Sequence, residues 1–377
     1  MTNQRICIVG NGLTGLVTAL VLSELNIDIN LIGKFKINKK NVDRRTTAIS
    51  QSNYKFLMKF LNKNSSEYFW PLNKIDLFHE VSDKYKNFMN FENNGENLLY
   101  IIKNSDLKRI LLKKIEKRKK VKIINKEICK IDEKKSLVFL KNKKITYDSI
   151  LLCVGKSSKL VNNLVGKRSV GDDLNEIAFT TIVKHNSNIS SAKQYFLKEG
   201  PLAILPFSKK EFSLIWSVNK SYSKFIQKKL LLEKLKKMLN IEKKLKISKI
   251  DFFPISFKFN VNSSNKNVLV LGEGSYNVHP VAGQGFNLIL RDIKQLNYEI
   301  DKILSLGIQI KDSTVFSKFR SLRKPENLLL GLGINIIHKF FKDDKIIKPV
   351  RQVILKDLNK FKFLKKLSLN FANKGII

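Results

Sequence analysis

Apolar residues recur with two different periods near the N-terminus. The run Arg5–Val9 (RICIV) is short and apolar, which is typical of a buried strand. From position 13, apolar residues recur every three or four positions and so share one face of a helix: Leu13, Leu16, Val17, Leu20 and Val21. After Asn26, residues 27–32 alternate between apolar and polar and predict a second strand.

A glycine-rich turn lies between the first strand and the helix, with the spacing GxGxxG at Gly10, Gly12 and Gly15. In this context Gly10 allows a tight turn, Gly12 lets the backbone approach a pyrophosphate, and Gly15 lets the helix pack closely on the strand. The helix N-terminus then offers N–H groups and a positive dipole end to phosphates. The motif therefore predicts a dinucleotide site; the alternative is a glycine-rich turn without a ligand.

The end of the second strand departs from this pattern. An acidic residue usually stands there and binds the ribose hydroxyls, but this chain has Gly33 followed by Lys34. Either other groups hold the ribose, or the affinity for a dinucleotide is lower.

A second glycine-rich segment, residues 272–287 (GEGSYNVHPVAGQGFN), follows an apolar strand predicted at 268–271. From Phe286 the periodicity indicates a helix, because these residues share a face: Phe286, Ile289, Leu290, Ile293 and Leu296. Here too, a glycine-rich loop leads into a helix N-terminus.

This second block resembles the FAD-dependent aromatic-ring monooxygenases, the p-hydroxybenzoate-hydroxylase-like group. The stretch HPVAGQGFNLILRD at 279–292 is most similar to the ubiquinone-biosynthesis hydroxylases. Residues 43–50 (DRRTTAIS) resemble a further segment of that family, and residues 200–206 (GPLAILP) and 213–216 (SLIW) resemble two of its strands. The resemblance covers most of the chain in the expected order.

The resemblance implies an α/β fold: a Rossmann-like FAD-binding domain with an inserted β-sheet substrate domain and a helical C-terminal tail. The expected division assigns residues 1–68, 97–173 and 262–330 to a discontinuous FAD-binding domain, 69–96 and 174–261 to the substrate domain, and 331–377 to C-terminal helices.

The resemblance also implies a role for each block. The N-terminal glycines would hold the FAD pyrophosphate, Arg45 would contact FAD near its phosphates or adenosine, and residues 283–287 would lie against the isoalloxazine ring. The implied cofactor-binding residues are Gly10, Gly12, Leu13, Thr14, Gly15, Arg45, Gly155, Gly272, Glu273, Pro280, Gly283, Gln284, Gly285, Phe286 and Asn287. No catalytic residue is predicted, and a structural role for His279 beside Pro280 is at least as well supported as a chemical one.

Three positions in these blocks depart from the family pattern. Glu273 keeps a carboxylate but adds a methylene, Tyr276 replaces a histidine, and Val154 replaces the aspartate of an A-D-G motif that appears here as Cys153-Val154-Gly155. Together with Gly33, these departures bring the affinity for FAD and the use of NAD(P)H into question. The block expected to face the flavin keeps the family pattern best, which favours an active enzyme.

The function implied by the resemblance is hydroxylation of the aromatic ring of a polyprenylated phenol in ubiquinone biosynthesis, with NAD(P)H and O₂. Two alternatives stay open. One is another FAD oxidoreductase on the same scaffold, such as an isoprenoid reductase. The other is a diverged, non-catalytic partner of the ubiquinone-biosynthesis complex.

Composition adds a strong charge. The 377 residues include 71 Lys and Arg against 32 Asp and Glu, a net charge of +39, while 43% hydrophobic residues exclude wholesale disorder. A diffuse lysine excess and the lack of a recognition motif argue against a nucleic-acid partner. A lipid-soluble phenolic substrate and the positive charge together predict a cytoplasmic protein that is peripheral on an anionic membrane surface, the inner face of the cytoplasmic membrane.

Cysteine and histidine spacing predicts neither a disulfide framework nor a metal site. No two of the three cysteines form a CxxC pair, and no two of the four histidines have metal-ligand spacing. No run of 18 apolar residues exists. Residues 324–377 alternate apolar clusters with lysines, which is consistent with helices packed on the domain or with a basic amphipathic membrane contact.

Overall fold

The computed structural model describes most of the chain. The described residues are 4–35, 43–92, 95–155, 158–165, 169–224, 226–241, 244–260, 266–280, 283–341, 351 and 354–355. The strands are β1 Arg5–Val9, β2 Asp28–Ile32, β3 Thr46–Ser50, β4 Trp70–Leu72, β5 Lys74–Val81, β6 Lys84–Glu92, β7 Leu99–Lys103, β8 Val121–Ile124, β9 Ile128–Asp132, β10 Leu137–Leu140, β11 Lys143–Thr146, β12 Ser149–Leu152, β13 Ser169–Lys184, β14 Ala192–Leu197, β15 Gly200–Pro206, β16 Glu211–Asn219, β17 Lys246–Ile247, β18 Asp251–Asn260, β19 Val268–Val270 and β20 Tyr276–Asn277. The α-helices are α1 Leu13–Leu22, α2 Gln51–Met58, α3 Asn104–Ile115, α4 Lys159–Val165, α5 Lys220–Ser223, α6 Lys228–Leu239, α7 Gln284–Ser305 and α8 Val315–Phe341.

A parallel sheet with the strand order β19-β12-β1-β2-β8 carries the first predicted strands. Its strands are apolar on both faces because both are covered: helices α1, α3 and α7 pack on one face, and the small antiparallel sheet β11-β10-β9 packs with α4 on the other. In β1, Ile8 pairs with Leu31 of β2 on one side and Leu151 of β12 on the other. The connections to β2 and β12 therefore run to opposite sides of β1. Ligands of such sheets bind beside this reversal, at the carboxyl ends of the strands.

Helix α1 is buried almost all round, since every residue from Gly15 to Leu22 is buried. It packs against α3 and α7. Four apolar residues with spacings of three, one and four share the buried face of α3: Leu107, Ile110, Leu111 and Ile115. These helices close one side of the parallel sheet and fix the direction in which α1 and α7 begin.

A larger antiparallel layer has the order β20-β18-β13-β16-β15-β14-β5-β6, in which β14 and β5 run parallel. A basic segment after β16 contains the short α5 and the amphipathic α6. Leu231, Leu235 and Met238 of α6 are buried and belong to the same apolar cluster as Trp216.

The C-terminal region is helical as far as it is described: α8 packs against α7 and β18. The predicted α/β class with a parallel sheet, a large antiparallel sheet and C-terminal helices is therefore confirmed. Two expected domain boundaries, 173/174 and 330/331, fall inside β13 and α8. The rest of the expected tail, at 342–350, 352–353 and 356–377, lies outside the described residues. None of the helices described is long and apolar enough to cross a membrane.

Candidate cofactor site

The loops that follow β1, β12 and β19 are in contact at the carboxyl edge of the parallel sheet. A Cβ added to Gly10, after β1, would lie 2.3 Å from the carbonyl oxygen of Cys153, after β12. A Cβ added to Gly272, after β19, would lie 2.9 Å from Cγ2 of Thr14 in α1. The two glycine-rich segments found in the sequence therefore form one site.

Within the first loop, the three motif glycines meet different surroundings. Gly10 has φ +132°, which disfavours any side chain, and a Cβ on Gly15 would lie 2.1 Å from the carbonyl oxygen of Gly10. A Cβ on Gly12, by contrast, would meet no described atom within 4 Å. Gly10 and Gly15 are thus required by the fold, whereas Gly12 borders open space at the start of α1, the cradle that a pyrophosphate needs.

Helices α1 and α7 both begin at glycines in this site. Gly12 is the N-cap of α1 and Gly283 the N-cap of α7; in the part of the chain that is described, neither helix has a capping side-chain hydrogen bond or an acidic residue in its first turn. Within the described residues, neither a side-chain cap nor an acid in the first turn therefore offsets the positive dipole end of either helix. Such helix starts favour an anionic group.

Arg45 lies directly before β3 and is held in place by its neighbours. Its Nε and Nη2 donate to the two carboxylate oxygens of Asp43 at 2.9 and 2.8 Å, and its guanidinium lies 4.8 Å from the ring centroid of Phe253. The hydrogen bonds to Asp43, with the charges of Glu273 and Asp251 nearby, raise the pKa of Arg45. Arg45 is therefore a fixed positive charge near Glu273.

Asn287 links the start of α7 to other elements. Its Oδ1 accepts from the N–H of Ser50 at 2.8 Å and from Nδ2 of Asn53 at 2.9 Å, and its Nδ2 donates to the carbonyl oxygens of Ala48 at 2.9 Å and Gly283 at 3.2 Å. The side chain is fully buried. Since these bonds use the whole hydrogen-bonding capacity of the amide, the Asn287 side chain positions the loop and does not reach out of it.

The remaining predicted residues lie around the same loops. Leu13 and Thr14 form the first turn of α1, and Gln284, Gly285 and Phe286 the first turn of α7. A Cβ on Gly155 would lie 3.9 Å from Oε2 of Glu273, so these two residues also adjoin. Pro280 accepts a hydrogen bond from the N–H of Gly283 at 3.1 Å. Val281 and Ala282 of the sequence motif lie outside the described residues.

Two histidines that are far apart in the sequence form a cluster with Glu176 beside this loop. Nε2 of His279 lies 3.1 Å from Oε2 of Glu176, and Nε2 of His338 lies 3.0 Å from Oε1 of the same carboxylate. All three side chains are buried. The sequence predicted no metal site, yet two histidines far apart in the chain contact one carboxylate. Such a cluster can bind a metal ion or form hydrogen bonds, and its geometry distinguishes the two.

The ring geometry favours hydrogen bonds over a shared metal ion. The rings of His279 and His338 stack with centroids 4.1 Å apart and planes 20° from parallel. An ion bonds imidazole in the ring plane at about 2.0–2.1 Å, and nearly parallel rings at this separation cannot both point at one ion. The two oxygens of the Glu176 carboxylate can accept one bond from each ring instead.

The electrostatics of the cluster agree with that geometry. Burial opposes ionisation of Glu176, but the hydrogen bonds from His279 and His338 outweigh it and lower the pKa of Glu176 to about 2. Burial lowers the pKa of His279 despite its bond to Glu176. His279 is therefore neutral near pH 7 and donates to an ionised carboxylate.

No protein-family model matches the chain. It is 28% identical to the ubiquinone biosynthesis monooxygenase COQ6 of Dictyostelium discoideum over 48% of this chain and 44% of that one. It is 23% identical to the ubiquinone hydroxylase UbiM of Neisseria meningitidis over 97% of this chain and 83% of that one. The match to COQ6 thus spans less than half the length of that relative. The resemblance inferred from the motifs is confirmed.

Solved structures show the same fold. The p-nitrophenol 4-monooxygenase PnpA of Pseudomonas putida superposes with a TM-score of 0.80 at 14% identity, covering 100% of this chain and 99% of that one. HpxO of Klebsiella pneumoniae, solved with FAD and uric acid, superposes with a TM-score of 0.77 at 13% identity, covering 99% and 97%. At such identities the likeness concerns the fold alone.

One departure from the family pattern, Tyr276, faces away from the loops. The Tyr276 hydroxyl donates to Oδ2 of Asp292 at 2.6 Å, and Asp292 also accepts from Nε of Arg323 at 2.7 Å and Nδ2 of Asn327 at 2.9 Å. Burial, with the charge of Asp292, raises the pKa of Tyr276 well above its usual value. Tyr276 therefore joins the packing of α7 against α8.

The departures at Gly33 and Val154 are also accommodated by packing. A Cβ on Gly33 would lie 3.0 Å from Cβ of Asn11, whose side-chain amide donates to the carbonyl oxygen of Lys34. An acidic residue at position 33 would therefore require Asn11 to shift by a few tenths of an ångström. Val154, in the loop after β12, contacts both other loops: its Cγ1 would lie 3.5 Å from a Cβ on Gly10, and its carbonyl oxygen 3.1 Å from a Cβ on Gly274.

Proposed function

We propose that the protein is an FAD-dependent monooxygenase that hydroxylates the aromatic ring of a polyprenylated phenol in ubiquinone biosynthesis. The observation that carries this proposal is the meeting of two glycine-rich loops, each leading into an uncapped helix, at one edge of a parallel sheet. The names of the relatives and the fold of flavin-dependent oxygenases support it.

The residues present fit FAD. The open space at Gly12 and the start of α1 would take the pyrophosphate, with Arg45 and Glu273 beside it. The first turn of α7 would lie against the isoalloxazine ring, where its positive dipole end favours negative charge on the ring. When bound, FAD would supply the redox chemistry: it would accept electrons from NAD(P)H and transfer one oxygen atom from O₂ to the substrate.

The protein's own contribution is to hold these parts in fixed positions. Asn287 ties the first turn of α7 to β3 and α2, and Asp43 holds Arg45 beside Phe253. A ring-hydroxylating site also has to orient its substrate and exclude water. The antiparallel layer of β13 to β16 and β18 is the surface that would do so.

Flavin uptake and product analysis test this function. The purified full-length chain is expected to show flavin absorption near one FAD per chain, and with NAD(P)H and O₂ it should add one oxygen atom to a prenylated phenol. A product that gains hydrogen would favour the isoprenoid reductase. A colourless chain that takes up no added FAD would refute the enzyme and favour a non-catalytic partner of the ubiquinone-biosynthesis complex.

We further propose that α8 contacts an anionic membrane surface, from which a lipid-soluble substrate would enter. Four apolar residues with spacings of seven, three and four share an outer stripe of α8 and are 39% to 66% exposed: Leu322, Leu329, Leu332 and Ile336. Lys318 and Lys339 lie near the two ends of this stripe. An apolar stripe bordered by lysines suits the interface of an anionic bilayer, where each nearby lysine contributes about 1 kcal/mol.

Vesicle co-sedimentation tests the α8 contact. The protein is expected to bind anionic vesicles more strongly than neutral ones, and Leu329→Glu with Ile336→Glu should abolish most of this binding. Leu230→Glu on α6 is the matched control, because Leu230 is also an exposed leucine on a basic helix, at 46%. Equal binding by the α8 variant and the control would refute the contact. Failure of the unaltered chain to bind either vesicle would point to a protein partner for this face instead.

A further inference from the structure

The end of α8 reaches the loop before α7 through one buried carboxylate. His338 is in the last turn of α8, His279 is in the loop, and Glu176 of β13 bridges them at 3.0 and 3.1 Å. We propose that Glu176 and His338 are positioning residues that fix the ring of His279, and with it the loop that leads into α7. This inference rests on the proposed function, in which that loop binds FAD.

An ionised Glu176 restricts where the two imidazoles carry their protons. An ionised carboxylate only accepts hydrogen bonds, so each imidazole that faces Glu176 must carry its proton on Nε2. Nδ1 of His338 is buried and has no hydrogen-bond partner among the described residues. The alternative tautomer would bury an unpaired N–H there and turn a lone pair toward the carboxylate, and both changes are unfavourable.

Stacking extends the constraint from the protons to the ring planes. The imidazoles of His279 and His338 lie 4.1 Å apart and 20° from parallel, and both bind the same carboxylate. Rotation of the His279 ring would break its bond to Glu176 and its contact with His338 together. His279 is fully buried, so water cannot replace either contact.

The backbone carries this constraint to the start of α7. Pro280 follows His279 directly, and its carbonyl oxygen accepts from the N–H of Gly283 at 3.1 Å. Gly283 is the N-cap of α7 and has φ +62°. The orientation of His279 thus affects the conformation of Gly283, which sets the direction of the first turn of α7. Asn287 holds the same turn through its bonds to Ser50 and Gly283.

Two substitutions of His338 separate a positioning role from simple packing. His338→Gln keeps an N–H donor where Nε2 lies, whereas His338→Leu keeps the bulk and removes the donor. The leucine variant is expected to bind FAD about tenfold more weakly, the cost of one buried hydrogen bond, and the glutamine variant should recover most of that affinity. If both variants bind FAD as the unaltered chain does, the proposal is wrong.

Nitrogen-15 NMR of the histidines provides a readout that needs no cofactor. In the unaltered chain His279 is expected as the neutral Nε2–H tautomer; in His338→Leu and in Glu176→Gln its signals should shift or broaden. His185→Leu is the control, because His185 is also buried but lies outside the cluster; this variant should change neither the His279 signals nor FAD binding. Unchanged His279 signals in both cluster variants would overturn the proposal, as would stoichiometric Zn²⁺ uptake through these histidines.

The two proposals can fail separately. An unaltered chain that binds no FAD would refute the proposed function, and the NMR measurement would still decide whether Glu176 and His338 set the state of His279. An unaltered chain that binds FAD, with His338→Leu indistinguishable from it in affinity and in the His279 signals, would refute the positioning role alone.

Discussion

The two loops of the candidate site are shaped in different ways. The loop at 10–15 is shaped by its own backbone: Gly15 packs on the carbonyl of Gly10, and Gly10 on the carbonyl of Cys153. The loop before α7 is held by side-chain hydrogen bonds: Asn287 bonds to backbone groups of β3 and to Asn53 of α2, and His279 bonds to Glu176 of β13, which also binds His338 of α8. The backbone of the first loop leaves no room for a Cβ at Gly10 or Gly15, whereas the second loop depends on partners distant in the sequence.

This difference has an energetic basis. An added Cβ at 2.1 to 2.3 Å from a backbone carbonyl oxygen cannot be relieved by a side-chain rotation, so the strand or the helix must move. A lost side-chain hydrogen bond in the second loop costs about 1–3 kcal/mol when its buried partner is left unpaired. Substitutions can therefore test whether steric overlap with the backbone limits the first loop and whether several side-chain hydrogen bonds stabilise the second.

The largest effect is expected at Gly10. Gly10→Ala combines a φ of +132° with a 2.3 Å approach to the Cys153 carbonyl, and we expect it to lower the free energy of unfolding by about 3 kcal/mol or more. Urea denaturation measures this loss. Gly12→Ala is the matched control: its Cβ meets no described atom within 4 Å, so the fold should keep its stability while FAD affinity falls. Equal losses of unfolding free energy in Gly10→Ala and Gly12→Ala would contradict the difference between the two glycines.

Asn287 should show the next largest effect. Asn287→Ala leaves the N–H of Ser50 and the carbonyl oxygen of Ala48 without this partner, and we expect a loss of about 2–3 kcal/mol in denaturant unfolding. Gln295→Ala on the same helix is the control, because Gln295 makes a part-buried hydrogen bond to Glu299; its cost should be about 0.5 kcal/mol. Similar costs for the two variants would show that the Asn287 network does not hold the second loop.

The Glu176 cluster predicts an acid-sensitive second loop. The pKa of Glu176 is lowered from 4.5 to about 2, so its contribution is complete above pH 4.5 and is lost as the pH falls toward 2. The pKa of His279 is also lowered, so its contribution is complete above its usual value of 6.5 and declines below it. Unfolding measured from pH 8 to pH 3 should show stability falling with pH. The gap between the unaltered chain and Glu176→Gln, on the order of 2 kcal/mol at pH 7, should narrow below pH 4.5; a constant gap would contradict the assignment.

The smallest effect is expected at Tyr276. Tyr276→Phe removes one hydrogen bond to Asp292, which keeps its bonds to Arg323 and Asn327, and should cost about 1 kcal/mol in thermal or denaturant unfolding. FAD affinity should stay unchanged because the hydroxyl faces the α7–α8 interface. A marked loss of FAD affinity would show instead that Tyr276 supports the second loop.

Local patterns in the sequence predicted the elements that frame the site. The apolar run of β1, the period of α1 and the glycines between them each depend on neighbours within a few residues, and the structure has them where they were expected. Helix α7 begins at Gln284, two residues before its apolar periodicity, because Gln284 and Gly285 carry no apolar side chain. The resemblance at 279–292 added the second loop.

Tertiary structure alone decided what holds that second loop. Glu176, His338 and Asn53 had no local signal, since a polar residue in a strand or helix is usually on a solvated face, yet all three are buried. The pairing of β13 with β18 positions Glu176, the packing of α8 on α7 positions His338, and the packing of α2 on α7 positions Asn53. Backbone periodicity is set by hydrogen bonds a few residues apart and can be read from the chain. Residues far apart in the sequence come into contact only because sheet register and helix packing bury them together, and a single sequence does not show which residues these are.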